Sequence, residues 1–130
     1  YIIAGSLAVK SSREEKYFNR SYLISSEGAV IGYYDKVHVF FQNDENRYFN
    51  AGTKTPVFNT SFGSVGIQIC FDIRFPEMIR NMVKQGMKIM FVPAQFPNPR
   101  KEHWLNLLKT RAIENQIYVI GANRIGKATD

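Results

Sequence analysis

Cys70 is the only cysteine in the chain, and it stands where a nucleophile is expected. It ends the alternating apolar run Ser64-Val65-Gly66-Ile67-Gln68-Ile69 and opens Phe71-Asp72-Ile73-Arg74-Phe75-Pro76-Glu77. The spacing therefore predicts a strand end, followed by a helix entered at Pro76 and closed before Gly86. A strand-to-helix turn lifts a side chain to the rim of a sheet and leaves backbone N–H groups to bind a developing oxyanion. The corresponding chemistry is attack of sulfur on an electrophilic carbon. Free cysteine is also among the most buried residue types, so position alone leaves a structural thiol as an equal alternative.

Other residues could serve that sulfur. A thiol with an ordinary pKa near 8.5 attacks an unactivated amide only with a base or a nearby positive charge to favour thiolate. In Tyr33-Tyr34-Asp35-Lys36-Val37-His38-Val39-Phe40, read as a strand, Lys36 and His38 project to one face. Lysine is unusual in such an apolar run, although most strand lysines point to solvent. Arg74 could clamp a substrate carboxylate with its guanidinium fork; the alternative is a structural ion pair with Asp72 or Glu77. Gln95 and Phe96, after the apolar run Ile89-Met90-Phe91-Val92, are expected pocket walls at the carboxyl end of a strand. A papain-like Cys–His pair is the rival use of Cys70, but no signature of it is present. His38 is instead expected to order the Lys36 strand by a hydrogen bond, and His103 to pack beside Trp104 at a helix start. Two histidines with one cysteine lack zinc spacing, so neither metal nor cofactor is expected.

The elements that position these residues can be read coarsely. Strands are expected at Tyr1 to Val9, on both sides of a hairpin turn at Glu27-Gly28, at Ser64 to Cys70, Lys88 to Pro93 and Ile117 to Ala122. Helices are expected at Pro76 to Gln85 and Arg100 to Glu114, with a charged turn around Arg13-Glu14-Glu15-Lys16. Antiparallel strands followed by βαβ units indicate an α/β fold. The segment from Gln42 to Thr55 reads as a polar loop long enough to act as a lid or binding loop.

Three segments together carry a family likeness. Asp35-Lys36-Val37-His38, Gly66-Ile67-Gln68-Ile69-Cys70-Phe71-Asp72-Ile73-Arg74-Phe75-Pro76-Glu77 and Arg111-Ala112-Ile113-Glu114-Asn115-Gln116, in that order, resemble the carbon–nitrogen hydrolase (nitrilase) superfamily. The resemblance runs from the first residues to Gly126, and its cysteine motif is more similar to the amidase and omega-amidase branch than to true nitrilases. It implies a four-layer αββα sandwich, present here as a single partial domain over residues 1–130, and a homodimer or higher homo-oligomer in the full-length protein. The helices carrying Met78, Ile79, Met82 and Leu105, Leu108, Ile113 would lie at the dimer contact.

The resemblance also implies roles. Cys70 becomes the nucleophile, and Lys36 the cation that stabilises thiolate and, with the backbone N–H of Phe71, the tetrahedral oxyanion; one preorganised donor of this kind is typically worth about 3 kcal/mol of barrier. A second glutamate of the family matches Glu45, ahead of Ala51-Gly52, with Asp44 as its neighbour and competitor; the alternative is a solvated loop carboxylate. The family's general-base glutamate is expected N-terminal to Tyr1, and further C-terminal elements after Asp130. The implied reaction is attack of Cys70 on a small linear amide, loss of ammonia or an amine, and hydrolysis of the thioester by water. Nitrile or N-carbamoyl hydrolysis within the same family, and a non-catalytic pseudoenzyme or truncated segment, are the alternatives.

Composition is compatible with this. The chain has 130 residues, is 45% hydrophobic and carries a net charge of +6, enough apolar content for one core. Its basic residues are scattered between Lys10 and Lys16, Lys84 and Lys88, at Arg100-Lys101 and at Lys127, which argues against a nucleic-acid surface. No apolar run approaches the roughly 20 residues of a membrane span, and no signal peptide is visible. A single cysteine forms no internal disulfide, so a reducing, cytoplasmic setting is expected.

Overall fold

Period-two patterning builds two sheets whose inner faces meet. The structure is a computed structural model that describes residues 1–11 and 15–126. In the first sheet, β1 (Ile2–Lys10), β2 (Tyr17–Ile24) and β3 (Val30–Asp35) pair antiparallel in chain order. A one-turn helix, α1 (Glu45–Tyr48), leads into the two-residue strand β4 (Phe49–Asn50), which runs parallel to the start of β2. The second sheet has the order β5 (Val57–Thr60), β6 (Gly63–Ile67), β7 (Ile89–Ala94), β8 (Tyr118–Asn123), with β5 antiparallel and the rest parallel. Parallel neighbours need crossover connections, and these are α2 (Pro76–Lys84) and α3 (Lys101–Asn115).

Burial follows the layers. Leu23 and Tyr34 of the first sheet pack against Val65, Ile67 and Ile69 of the second. On the other face of the second sheet, Met90 and Val92 meet Ile79 and Met82 of α2, Trp104 of α3, and Phe96. Among the described residues α2 and α3 cover the second sheet, while Ile31 and Tyr33 on the first are exposed. The expected αββα sandwich is thus represented by its two sheets and one helical layer. No described helix is long and apolar enough to cross a membrane.

α2, α3, β7 and β8 lie within a residue of their expected bounds, because capping and period-two signals act locally. The strand expected from Ser64 to Cys70 ends three residues early, at Ile67, because the Ile69 N–H turns to Asp72. Two further expectations fail. The strand expected from Tyr33 to Phe40 stops at Asp35, so Lys36 and His38 do not share a strand face. The Gln42–Thr55 segment is not structureless: it begins within a 3-10 turn (Phe41–Asn43) and contains α1 and β4. The helix residues expected at a dimer contact also divide. Met78, Ile79 and Met82 are buried in this chain's own core, whereas Ile113 is 77% exposed. The expected charged turn falls partly outside the described residues, at Arg13 and Glu14, as does Lys127.

Candidate active site

Cys70, the expected nucleophile, is held in a left-handed backbone conformation. Cys70 opens a 3-10 turn, Cys70–Arg74, with φ 49°, a region that costs a non-glycine residue of order 1 kcal/mol and persists only where its surroundings over-determine it. They do so here from both ends. Gln68 N–H donates to Phe91 O at 2.9 Å and extends the sheet pairing beyond β6. Ile69 N–H donates to Asp72 Oδ2 at 3.1 Å, while Asp72 N–H returns to Ile69 O at 3.1 Å. At the far end the buried Arg111 donates from Nε to Ile73 O at 2.9 Å and from Nη1 to Glu114 Oε1 at 3.0 Å. The Arg111–Gln116 motif therefore supports the Cys70–Arg74 turn from α3.

Lys36 arrives by a different route. After Asp35 the chain leaves β3 but stays pinned, because Lys36 N–H donates to Asn19 O at 2.9 Å and Lys36 O accepts from Gly52 N–H at 2.8 Å. Residue 52 must be glycine for this approach, since a Cβ there would overlap the Asp35 carbonyl. The Lys36 Nζ, in a residue only 4% exposed, donates to Glu45 Oε2 at 2.6 Å. Glu45 accepts further from Phe40 N–H at 2.6 Å and from Asn19 Nδ2 at 2.9 Å. Burial opposes the Glu45 charge, but the bonds from Lys36, Asn19 and Phe40 outweigh it and hold the carboxyl below the ordinary 4.5. Asp44, the neighbouring competitor, pairs instead with Arg47 at the surface. Glu45 is thus an internal partner of Lys36 rather than a solvated loop carboxylate, and Asn19, which braces both residues, had no signal in the sequence.

The two segments meet at Asp72, which is fully buried. Its Oδ2 accepts from Tyr34 OH at 2.7 Å and its Oδ1 from His38 N–H at 2.8 Å. His38 Nδ1 lies 3.0 Å from Oδ1 and donates in the tautomer protonated there. The His38 ring stacks on Phe75 with centroids 3.5 Å apart. His38 therefore bonds Asp72 rather than a strand neighbour. Burial, followed by the Asp72 charge, raises the Tyr34 hydroxyl pKa well above its ordinary value and keeps it a donor.

Burial also pushes the Cys70 thiol above its ordinary 9.0, against the Lys36 ammonium and the Gln95 backbone N–H, which favour thiolate; the Glu45 and Asp72 carboxylates push it higher. At neutral pH Cys70 rests as a thiol, so attack requires that its proton be taken as the bond forms. The remaining expected residues surround it. Phe71 follows Cys70 in the turn, with its ring between those of Phe40 and Phe75. Gln95 approaches the sulfur through its backbone, while its side-chain Oε1 accepts from Arg124 at 3.2 Å. Phe96 is buried against Trp104. Arg74 Nη2 lies 3.4 Å from His103 Nδ1 and its guanidinium 5.5 Å from the Phe96 ring; among the described residues it forms neither expected ion pair, with Asp72 or with Glu77. His103 is exposed while Trp104 beside it is buried. A cavity of about 450 Å³ between β1, β7 and β8 includes Gln95 in its wall.

Two packed sheets thus carry a cysteine on a strand-to-helix elbow, within reach of the charges of a lysine–glutamate pair. The sequence profile of the Carbon-nitrogen hydrolase family matches residues 1–130, and the chain belongs to that family. It is 39% identical over 130 residues to the 2-oxoglutaramate amidase of Bacillus subtilis, covering all of this chain and 49% of the relative. Saccharomyces cerevisiae Nit3, a member of branch 10 of the nitrilase superfamily, superposes with a TM-score of 0.86 at 29% identity, over 93% of this chain and 44% of that one. An amidase mutant from Nesterenkonia sp. AN1, with the acetamide moiety of fluoroacetamide covalently added at its active-site cysteine, superposes at 0.81 with 28% identity, over 87% and 43% of the two chains. The chain spans about half the length of the curated relatives it matches. The nitrilase-like fold and the amidase branch expected from the motifs are both found.

Proposed function

We propose that the protein containing this chain hydrolyses the carbon–nitrogen bond of a small linear amide through a thioester on Cys70. The observation that carries the reading is the placement of the Lys36–Glu45 pair against a thiol held on a strained turn. Sulfur bonds to the carbonyl carbon as the thiol proton passes to a base. Charge accumulates on the carbonyl oxygen, where Lys36 Nζ and the Phe71 backbone N–H serve as donors. The C–N bond then breaks, the nitrogen leaves protonated as ammonia or an amine, and water releases the acid by cleaving the sulfur–carbon bond.

Glu45 is committed to Lys36, Asn19 and Phe40, so in this reading it holds the ammonium in place. The resemblance assigns the general base to a glutamate N-terminal to Tyr1. Arg74, in the same turn as Cys70 and near the Phe96 ring, would meet a substrate carboxylate with its fork. The acetamide adduct on the cysteine of the Nesterenkonia amidase and the name of the Bacillus relative support an amide as substrate.

The test is ammonia release by the natural full-length protein from a panel of amides, including monoamides of dicarboxylic acids. Cys70→Ala is expected to abolish release and Lys36→Met to lower kcat by about 100-fold or more, with circular dichroism unchanged. Undiminished release in Cys70→Ala would refute the assignment, and no release by wild type on any amide would favour a non-catalytic role.

A further inference from the structure

The hydrolysis described above gives Asp72 no part, yet its carboxylate touches both halves of the site. We propose that Asp72 is a positioning residue that sets the placement of the Cys70 sulfur against the Lys36 ammonium by locking the nucleophile turn to the lysine segment. This rests on the reading of Cys70 as nucleophile and Lys36 as its cation.

The Asp72 carboxylate bonds more than its own turn requires. A helical-turn cap needs only the Ile69 N–H, next to Cys70 in the chain. The other contacts reach back 38 positions to Tyr34 and 34 to His38, the residues two before and two after Lys36. An ionised carboxylate accepts only, and each of these partners can donate. Lys36's own bonds go to Asn19, Gly52 and Glu45, none of which belongs to the nucleophile turn. Among the described residues, every hydrogen bond from the lysine segment to the nucleophile turn ends on Asp72. Ring contacts of Phe40 with Phe71 and of His38 with Phe75 lie along the same seam, but stacked rings fix direction less sharply than hydrogen bonds do.

The Asp72 charge opposes the Cys70 thiolate and the Lys36 charge favours it more strongly. Removing a negative charge, with nothing else moved, lowers the pH at which Cys70 becomes reactive. Displacing Lys36 raises it. The amide of Asp72→Asn must turn its NH2 toward a donor on one side or the other, so the two segments part there.

The experiment measures, in the natural full-length protein, the pH profile of Cys70 alkylation by iodoacetamide, read by mass spectrometry of the modified peptide, alongside amide hydrolysis. Asp72→Asn is expected to move the alkylation midpoint upward and to lower kcat about 100-fold with KM within about threefold, as expected for a reacting group misplaced by about 1 Å. Lys36→Met should move the midpoint the same way, and the double variant should move it no further. A midpoint shifted downward or unchanged in folded Asp72→Asn, or additive shifts in the double variant, would overturn the proposal. Should Asp72→Asn not fold, Tyr34→Phe removes one donor without changing charge: an upward shift supports the proposal and an unchanged profile refutes it. If wild type hydrolyses no amide, the functional reading fails while the alkylation profiles still decide this one.

Discussion

At the scale of single residues, Glu45 shows how little of a site a local pattern reveals. Gln42-Asn43-Asp44-Glu45-Asn46-Arg47 reads as a solvated stretch, but the partners that internalise Glu45 are Asn19 and Lys36 on distant segments and Phe40 just before it. Glu45→Gln removes the charge from a largely buried ion pair and leaves Lys36 facing a neutral group. The expected cost is about 3 kcal/mol of stability, measured by urea unfolding, with amidase activity reduced in parallel. The pH dependence has a definite sign. The folded carboxyl titrates below 4.5, so the unfolded state takes up the proton first; Glu45's contribution is complete above pH 4.5 and is lost as acidification proceeds through the folded value. Melting temperature followed from neutral pH to about pH 3 should therefore fall more gently in Glu45→Gln than in wild type. Cys70 was legible because a lone thiol on a strand end is a local signal. Asp72 was legible only as an ion-pair candidate for Arg74, because Tyr34 and His38, which it joins to the Cys70 turn, lie on the other side of the sandwich.

At the scale of elements, strands and helices were read well where one physical pattern governed them. The run ending in Cys70 alternates because one face of β6 meets the first sheet and the other meets the helices. The run from Tyr33 to Phe40 also alternates, but beyond Asp35 its residues serve the site instead of a sheet face. Lys36 pairs with Glu45, Val37 N–H donates to Tyr34 OH at 3.3 Å, and His38 turns to Asp72. Pattern alone does not separate the two uses. The third motif gains a structural account at this scale, since α3 reaches the nucleophile turn through Arg111. Arg111→Met should leave the Ile73 carbonyl without its charged donor and cost about 2 kcal/mol. It should also slow Cys70 alkylation, whereas a stability loss with Cys70 reactivity unchanged would confine Arg111 to holding the fold.

At the scale of the whole molecule, the site is a product of how two sheets meet. Lys36 and Glu45 hang from the first sheet, Cys70 from the second, and Leu23 lies fully buried at their junction with Tyr34, Val65 and Ile67. Leu23→Ala is expected to cost about 2–5 kcal/mol, measured by denaturant unfolding. The fold class was legible because antiparallel strands followed by βαβ units leave few arrangements; the meeting of the sheets was not, because it depends on contacts between residues tens of positions apart. That separation has an evolutionary consequence. The β5–β6 hairpin lies within the 34 positions between His38 and Asp72, and its exposed turn at Ser61-Phe62 is remote in the chain from both ends of that bond. With the Lys36 and Cys70 segments held in register across the sandwich rather than by the length of chain between them, a lineage can lengthen or trim this hairpin and keep the site assembled.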